Sequence, residues 1–244
     1  MAEAVRETTY DVVVPNLDHI ITEDDEPVDN MFSAKQQRLL VEPLYSSWKP
    51  DRPFLADANV GVFNSVYQPP IVPDMFLSLD VEPDENIWKK ENRSYFMWKF
   101  GKPPEVVIEV VSNTKGGETE KKFRKYAQIG AWYYVIFDPQ CVLQRETLNT
   151  YQLSIGRYVP KPEPIRQFTD IGLGLTLWNG EYEGMQAQWL RWCDENGRLI
   201  LTGAEYAIQE SKRAEQESKR AEQESKRADK LAAQLRALGV EPDL

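Results

Sequence analysis

The chain has 244 residues, 41% of them hydrophobic and 11% aromatic, and a formal charge of −10; that length supports one sizeable core with room for an appendage. No apolar run approaches the roughly 20 residues of a membrane span. Residues 1–203 hold 21 basic and 30 acidic side chains and residues 204–230 hold seven of each, so net charge will not draw a polyanion to the body, which must meet one through a local basic patch or a metal.

Residues 1–32 are acidic and weakly patterned, with Thr-Glu-Asp-Asp-Glu-Pro-Val-Asp at 22–29. They read as a loosely ordered arm with one short strand over 10–14. Ser33 is placed to cap a helix running to about Trp48, in which Leu39, Leu40, Leu44 and Trp48 recur near helical spacing. Pro43 lies inside that window and predicts a kink or an early end. Strands are predicted near 54–63 and 72–81, then a charged, aromatic excursion over 82–102 and a strand over 105–112. The loop Asn113-Thr-Lys-Gly-Gly feeds a helix over 118–129 that Gly130 ends. Gly116-Gly117 before that helix suits a flexible entry better than an anion site, because the Lys-Ser/Thr ending of a P-loop is missing. Strands over 132–137, 142–148, 151–155 and 173–177 follow, where turn residues punctuate apolar runs. Glu195-Asn196-Gly197 predicts a last hairpin between 189–193 and 198–201.

From Gln209 the heptad Gln-Glu-Ser-Lys-Arg-Ala-Glu occurs three times, the last copy ending in Asp229. A seven-residue period means helix, either single and solvated or a weak coiled coil. The seam alternates Ala and Ser, which bury little area. Glu215 with Lys219 and Glu222 with Lys226 support a lone helix. The expected organisation is an arm (1–32), an α/β domain (33–203) and a helical or coiled-coil tail (204–244). The first residues show no secretory pattern, and Cys141 and Cys193 lie in no metal-ligand spacing. The expectation is a cytoplasmic protein with reduced thiols and no membrane partner.

Three residues concentrate the chemistry. Asp74 follows Pro73 at the start of an apolar strand, an edge or strand-end position. Glu109 shares a strand face with Val107 and Val111, a conflict that commonly marks function. Lys122 borders the apolar helix face of Phe123, Tyr126, Ala127 and Gly130, whereas Lys121, Arg124, Lys125 and Gln128 fall on the solvated side, where they could touch a phosphate backbone. Carboxylates at adjacent strand ends can anchor a divalent metal, and a lysine can stabilise charge on a phosphate or position a water. Spacing alone leaves the bland reading open: a turn aspartate, a paired core glutamate and a surface lysine. His19 is the single histidine and lies in the arm, which disfavours zinc clusters and histidine triads; no Gly-x-Ser-x-Gly elbow is present.

Val-Pro-Asp (72–74), Pro-Pro-Glu-Val-Val-Ile-Glu-Val-Val-Ser (103–112), Lys122-Phe-Arg-Lys-Tyr126, Gly130 and Tyr-Tyr-Val-Ile-Phe-Asp-Pro (133–139) together resemble the Uma2 family, a branch of the PD-(D/E)XK nuclease superfamily. The resemblance implies a restriction-endonuclease-like α/β fold, a mixed β-sheet flanked by helices, with the heptad-repeat tail appended. It implies a Mg²⁺-dependent endonuclease acting on DNA, with Mn²⁺ as the alternative ion, Asp74 and Glu109 as metal ligands and Lys122 as the third catalytic residue. The superfamily's lysine two residues after the glutamate is absent, since Val111 stands there; Lys122 on the neighbouring helix resembles its relocated form. A residue of the N-terminal helix often completes such sites, and Gln37 and Glu42 are both candidates. A second reading is a non-catalytic interaction protein that keeps the nuclease fold and uses its tail for partner binding or self-association.

Overall fold

The computed structural model describes residues 30–112, 121–162 and 166–237. The predicted strand over 10–14, His19, the loop 113–117 and the start of the helix predicted over 118–129 lie outside those residues.

Helix α1 (Met31–Ser46) opens the described chain. Its cap is Asn30, whose side chain accepts from the Ser33 backbone N–H at 3.0 Å; Ser33 is therefore the capped residue, not the cap, and it is buried. Pro43 does not end the helix, which continues to Ser46, and the Pro43 carbonyl accepts from Ser47 and Trp48 at the C-terminus. Strands β1 (Phe54–Asp57) and β2 (Val62–Phe63) divide the predicted 54–63 interval, and β3 (Met75–Leu79) follows. The 82–102 excursion contains a 3₁₀ turn (Lys90–Asn92), β4 (Tyr95–Phe96) and a single helical turn, α2 (Met97–Phe100). Strand β5 (Val106–Val110), helix α3 (Phe123–Ile129) and strand β6 (Tyr133–Phe137) come next. Gly130 ends α3 with φ +86°, a left-handed conformation suited to glycine.

The predicted strand over 142–148 is instead a turn. The buried Asp138 carboxylate accepts from the backbone N–H groups of Val142, Leu143 and Gln144 at 2.7–2.9 Å, which holds that segment out of the sheet. The following strands are β7 (Leu148–Ser154), β8 (Arg157–Pro160), β9 (Gln167–Phe168), β10 (Leu173–Tyr182) and β11 (Met185–Cys193). The segment over 194–199 closes only a single Cys193–Leu199 bridge, with Asp194 accepting from Asn196 and Arg198, so no extended last hairpin forms.

The principal sheet runs β1-β3-β5-β6-β7-β8 and is mixed: β5 and β6 are parallel and the other pairings antiparallel. β5 and β6 are buried along their whole length, as a parallel pair covered on both faces requires. One face, through Met75, Leu77, Ile108, Val110, Val135 and Phe137, packs on α1 and on the smaller β9-β10-β11 sheet. The other, through Phe76, Val107, Val111, Tyr134 and Ile136, packs on α3. Two polar contacts fix α1 between the sheets. Gln36 exchanges hydrogen bonds with the Leu190 backbone N–H and C=O at 2.9 and 2.8 Å, and the Trp192 indole donates to the Leu40 carbonyl at 2.8 Å.

Helix α4 (Gly203–Ala237) carries the heptads as one continuous helix. Its root is tied down. Thr202 and Glu205 form a reciprocal capping box. Arg191, 1% exposed, grips the Glu205 carboxylate with two bonds of 2.9 and 2.5 Å, and the Gly203 N–H donates to Glu42 at 2.8 Å. A Cβ at Gly203 would stand 2.9 Å from the Glu42 carboxylate, so a larger residue there would require the Glu42 side chain to shift. Beyond the root the side chains are largely exposed, and the predicted Glu215–Lys219 and Glu222–Lys226 pairs form at 2.6 Å. Among the described residues no helix is long and apolar enough to cross a membrane.

Candidate active site

The antiparallel register of β3 and β5 pairs Met75 with Ile108. Continued one step, it sets Asp74 opposite Glu109, and paired residues of an antiparallel ladder share a face. That face is the one covered by α3. Pro73 ends the ladder before Asp74, which leaves the Asp74 carboxylate free to turn back on the neighbouring strand: its Oδ2 accepts from the Val110 N–H at 2.6 Å. Its Oδ1 accepts from Gln37 Nε2 at 3.2 Å, and Gln37 Oε1 in turn accepts from Asn59 Nδ2 at 2.9 Å. Asn59 sits at φ +55° between β1 and β2, a region asparagine tolerates better than most residues. Its N–H donates to the carbonyl of Pro73, the residue before Asp74.

Glu109 is fully buried. Both of its oxygens are held from α3: Lys122 Nζ donates to Oε2 and the Tyr126 hydroxyl to Oε1, each at 2.6 Å. Residues four apart lie on one helix face, so a single turn of α3 serves both oxygens. Burial, then the charge of Asp74, raises the Glu109 carboxyl from 4.5 to about 8, against the opposing effects of Lys122 and Tyr126. Burial and the adjacent Glu109 push the Tyr126 hydroxyl well above 10, so it stays a neutral donor. Lys122 is partly open, with 26% of its side chain exposed.

Asp74, Glu109 and Lys122 are thus linked in one constellation, and of the two α1 candidates Gln37 reaches it. Glu42 does not: its Oε1 accepts from Gly203 and Ser46 at the root of α4. Sequence reasoning placed Tyr126 on the apolar face and missed its hydroxyl; the four-residue spacing from Lys122 was the available signal. Asn59 gave none, because its contact depends on a left-handed backbone and on the orientation of α1.

The donor set suits a hard dication. It is made of oxygens, and the two carboxylates raise each other's cost of ionisation, which a cation between them would relieve. Among the described residues no group of three or more His, Cys, Asp or Glu side chains is arranged to hold a metal. An ion held here would lean on two carboxylates and complete its shell with water and substrate oxygens, a common arrangement for Mg²⁺.

The crystal structure of "a putative nuclease belonging to DUF820" from Anabaena variabilis matches with a TM-score of 0.35 and 18% identity, over 56% of this chain and 75% of that one. No curated protein matches the sequence significantly. The model of the Uma2 family, described as "Putative restriction endonuclease", matches residues 25–174. That span covers both carboxylates, Lys122, Tyr126 and Gln37, and over it the chain belongs to the Uma2 family.

Proposed function

We propose that the chain is a divalent-metal-dependent endonuclease that hydrolyses DNA phosphodiester bonds, with Asp74 and Glu109 as the metal ligands and Lys122 as the cationic catalytic residue. The observation that carries this reading is the placement of Asp74 and Glu109 side by side at the ends of β3 and β5, with Lys122 delivered to Glu109 from α3. Mg²⁺, or Mn²⁺ in its place, would lower the pKa of a bound water and polarise the phosphate. The Val110 N–H and Gln37 fix the Asp74 carboxylate, and Tyr126 fixes that of Glu109, so these two residues would hold an ion with their carboxylates already oriented. Lys122, held against Glu109, would set its ammonium charge beside the attacking water or a phosphate oxygen as charge accumulates there. Water adds to phosphorus and releases one proton to solvent, the bond from phosphorus to the leaving ester oxygen breaks, and that oxygen takes up a proton from solvent.

Supercoiled plasmid incubated with Mg²⁺ or Mn²⁺ should be nicked and linearised, and EDTA, Asp74→Ala and Glu109→Ala should each stop the reaction. Cleavage that continues undiminished in both alanine variants would reject these ligands.

A further inference from the structure

A cavity of about 190 Å³ lies between α3, the helix that also carries Tyr126 to Glu109, and the segment joining Phe63 to Ile71. Its floor is apolar, Ile71 and Ile129, each 7% exposed. Its walls are polar: Asn64 and Gln68 from the segment, Lys125 and Gln128 from α3. The segment is pinned at its stem. Val62 and Ile71 exchange backbone hydrogen bonds of 2.8 and 3.0 Å, and β2 pairs in parallel with β4. Gly61 permits the closure, since a Cβ there would stand 3.0 Å from the Phe63 ring and 3.1 Å from Pro70. At the tip, Tyr67 is 90% exposed.

Three features give this cavity a ligand chemistry. Lys125 is half-buried and makes no ion pair among the described residues. It belongs to a run of four cations, Lys121, Lys122, Arg124 and Lys125, in a chain of charge −10, so α3 and the two residues before it form a local basic patch on an acidic body. Side-chain amides offer paired donors and acceptors that match base edges, and an exposed tyrosine offers a face on which a base can stack. Lys125 and Gln128 follow Lys122 by three and six residues, roughly 4.5 and 9 Å along the helix axis. Those distances correspond to about one to three nucleotide steps of 3.4 Å.

We propose that this cavity takes a nucleotide of the DNA strand adjacent to the cleaved bond, with Lys125 on a phosphate, the Tyr67 ring against the base and Asn64, Gln68 and Gln128 on its edge. The inference rests on the endonuclease reading above and adds the residues that would set its sequence preference.

The test uses the full chain and a fluorescein-labelled DNA duplex, with binding followed by anisotropy in EDTA and cleavage products mapped in Mg²⁺. Tyr67→Ala should weaken binding at least about fivefold. Lys125→Ala should weaken it across all sequences and lower the slope of log affinity against log salt by about 1. Gln68→Ala should alter which base is preferred beside the cut. Lys219→Ala, on the exposed face of α4, should leave affinity unchanged. All of these side chains are half-buried or exposed, and circular dichroism will register any loss of fold. A wild type that cuts, beside Tyr67, Lys125 and Gln68 variants that bind and cut as it does, would overturn the groove and leave the endonuclease reading standing. Equal weakening by Lys219→Ala and Lys125→Ala would overturn it too, by tracing the effect to charge alone. A wild type that neither binds nor cuts would overturn both.

Discussion

Glu109→Gln preserves the shape of the buried side chain and removes its proton equilibrium. In the folded chain burial, reinforced by Asp74, lifts the carboxyl from 4.5 to about 8. Across that window the folded protein holds a proton that the unfolded chain has released. The stability this provides is complete below pH 4.5 and is lost as pH rises to about 8. At about 1.4 kcal/mol per pH unit the ceiling is roughly 5 kcal/mol. The expected loss is about 2–4 kcal/mol, because relaxation and water entry around the ionised group soften the penalty. The window is favourable: Glu183 is held down at about 2 by Arg38, and Glu205, though burial opposes it, is lowered by Arg191 and Thr202, so both stay ionised throughout. Urea unfolding of wild type and variant in EDTA, at steps from about pH 5 to about pH 9, reads the effect as a difference. The variant should gain on the wild type by about 2–4 kcal/mol over that range, and Mn²⁺ should recover the wild type at the alkaline end while leaving the variant unmoved. A difference that stays constant with pH would refute the reasoning.

Tyr126→Phe removes the hydroxyl from Glu109 Oε1 and should weaken Mn²⁺ binding about tenfold by calorimetry; unchanged affinity would reduce Tyr126 to packing. Asn59→Gly keeps the left-handed backbone but drops the amide held by Gln37, so metal affinity should fall severalfold while thermal stability changes by less than about 1 kcal/mol. Arg191→Ala should cost roughly 2–4 kcal/mol in urea unfolding, somewhat less than a fully enclosed pair because the Glu205 side chain is 36% exposed, and should loosen the root of α4.

The site was legible where local pattern and register coincide. Alternation along 105–112 put Glu109 on a buried face, and the Pro-Asp start of β3 marked a strand end. What decides between Gln37 and Glu42 is not local. Five residues apart on α1, they point to different sides, and which side meets Asp74 follows from Gln36 and Trp192 locking α1 against β11. The long β10–β11 hairpin was read only at its buried ends, 173–177 and 189–193. Its outer half carries Asn179, Gly180, Glu181 and Gln186, which break the apolar alternation, and its turn at Glu183-Gly184 depends on φ values of +44° and +75°. The split of 54–63 into two strands likewise depends on Asn59 turning left-handed, which no apolar pattern announces.

Helix α1 carries Gln37, which reaches Asp74, and five residues later Glu42, which holds the first N–H of α4. Those two points are about 7.5 Å apart along the axis, whereas the 35 residues of α4 extend roughly 50 Å. The geometry is that of a lever with unequal arms. A tilt of about 10° at the root carries the far end of α4 by about 9 Å, while the same rotation moves Gln37 by little more than 1 Å. A distance label on the outer heptads, for instance at Ser225, is therefore a mechanical amplifier for movements of α1 too small to resolve at the carboxylate pair itself.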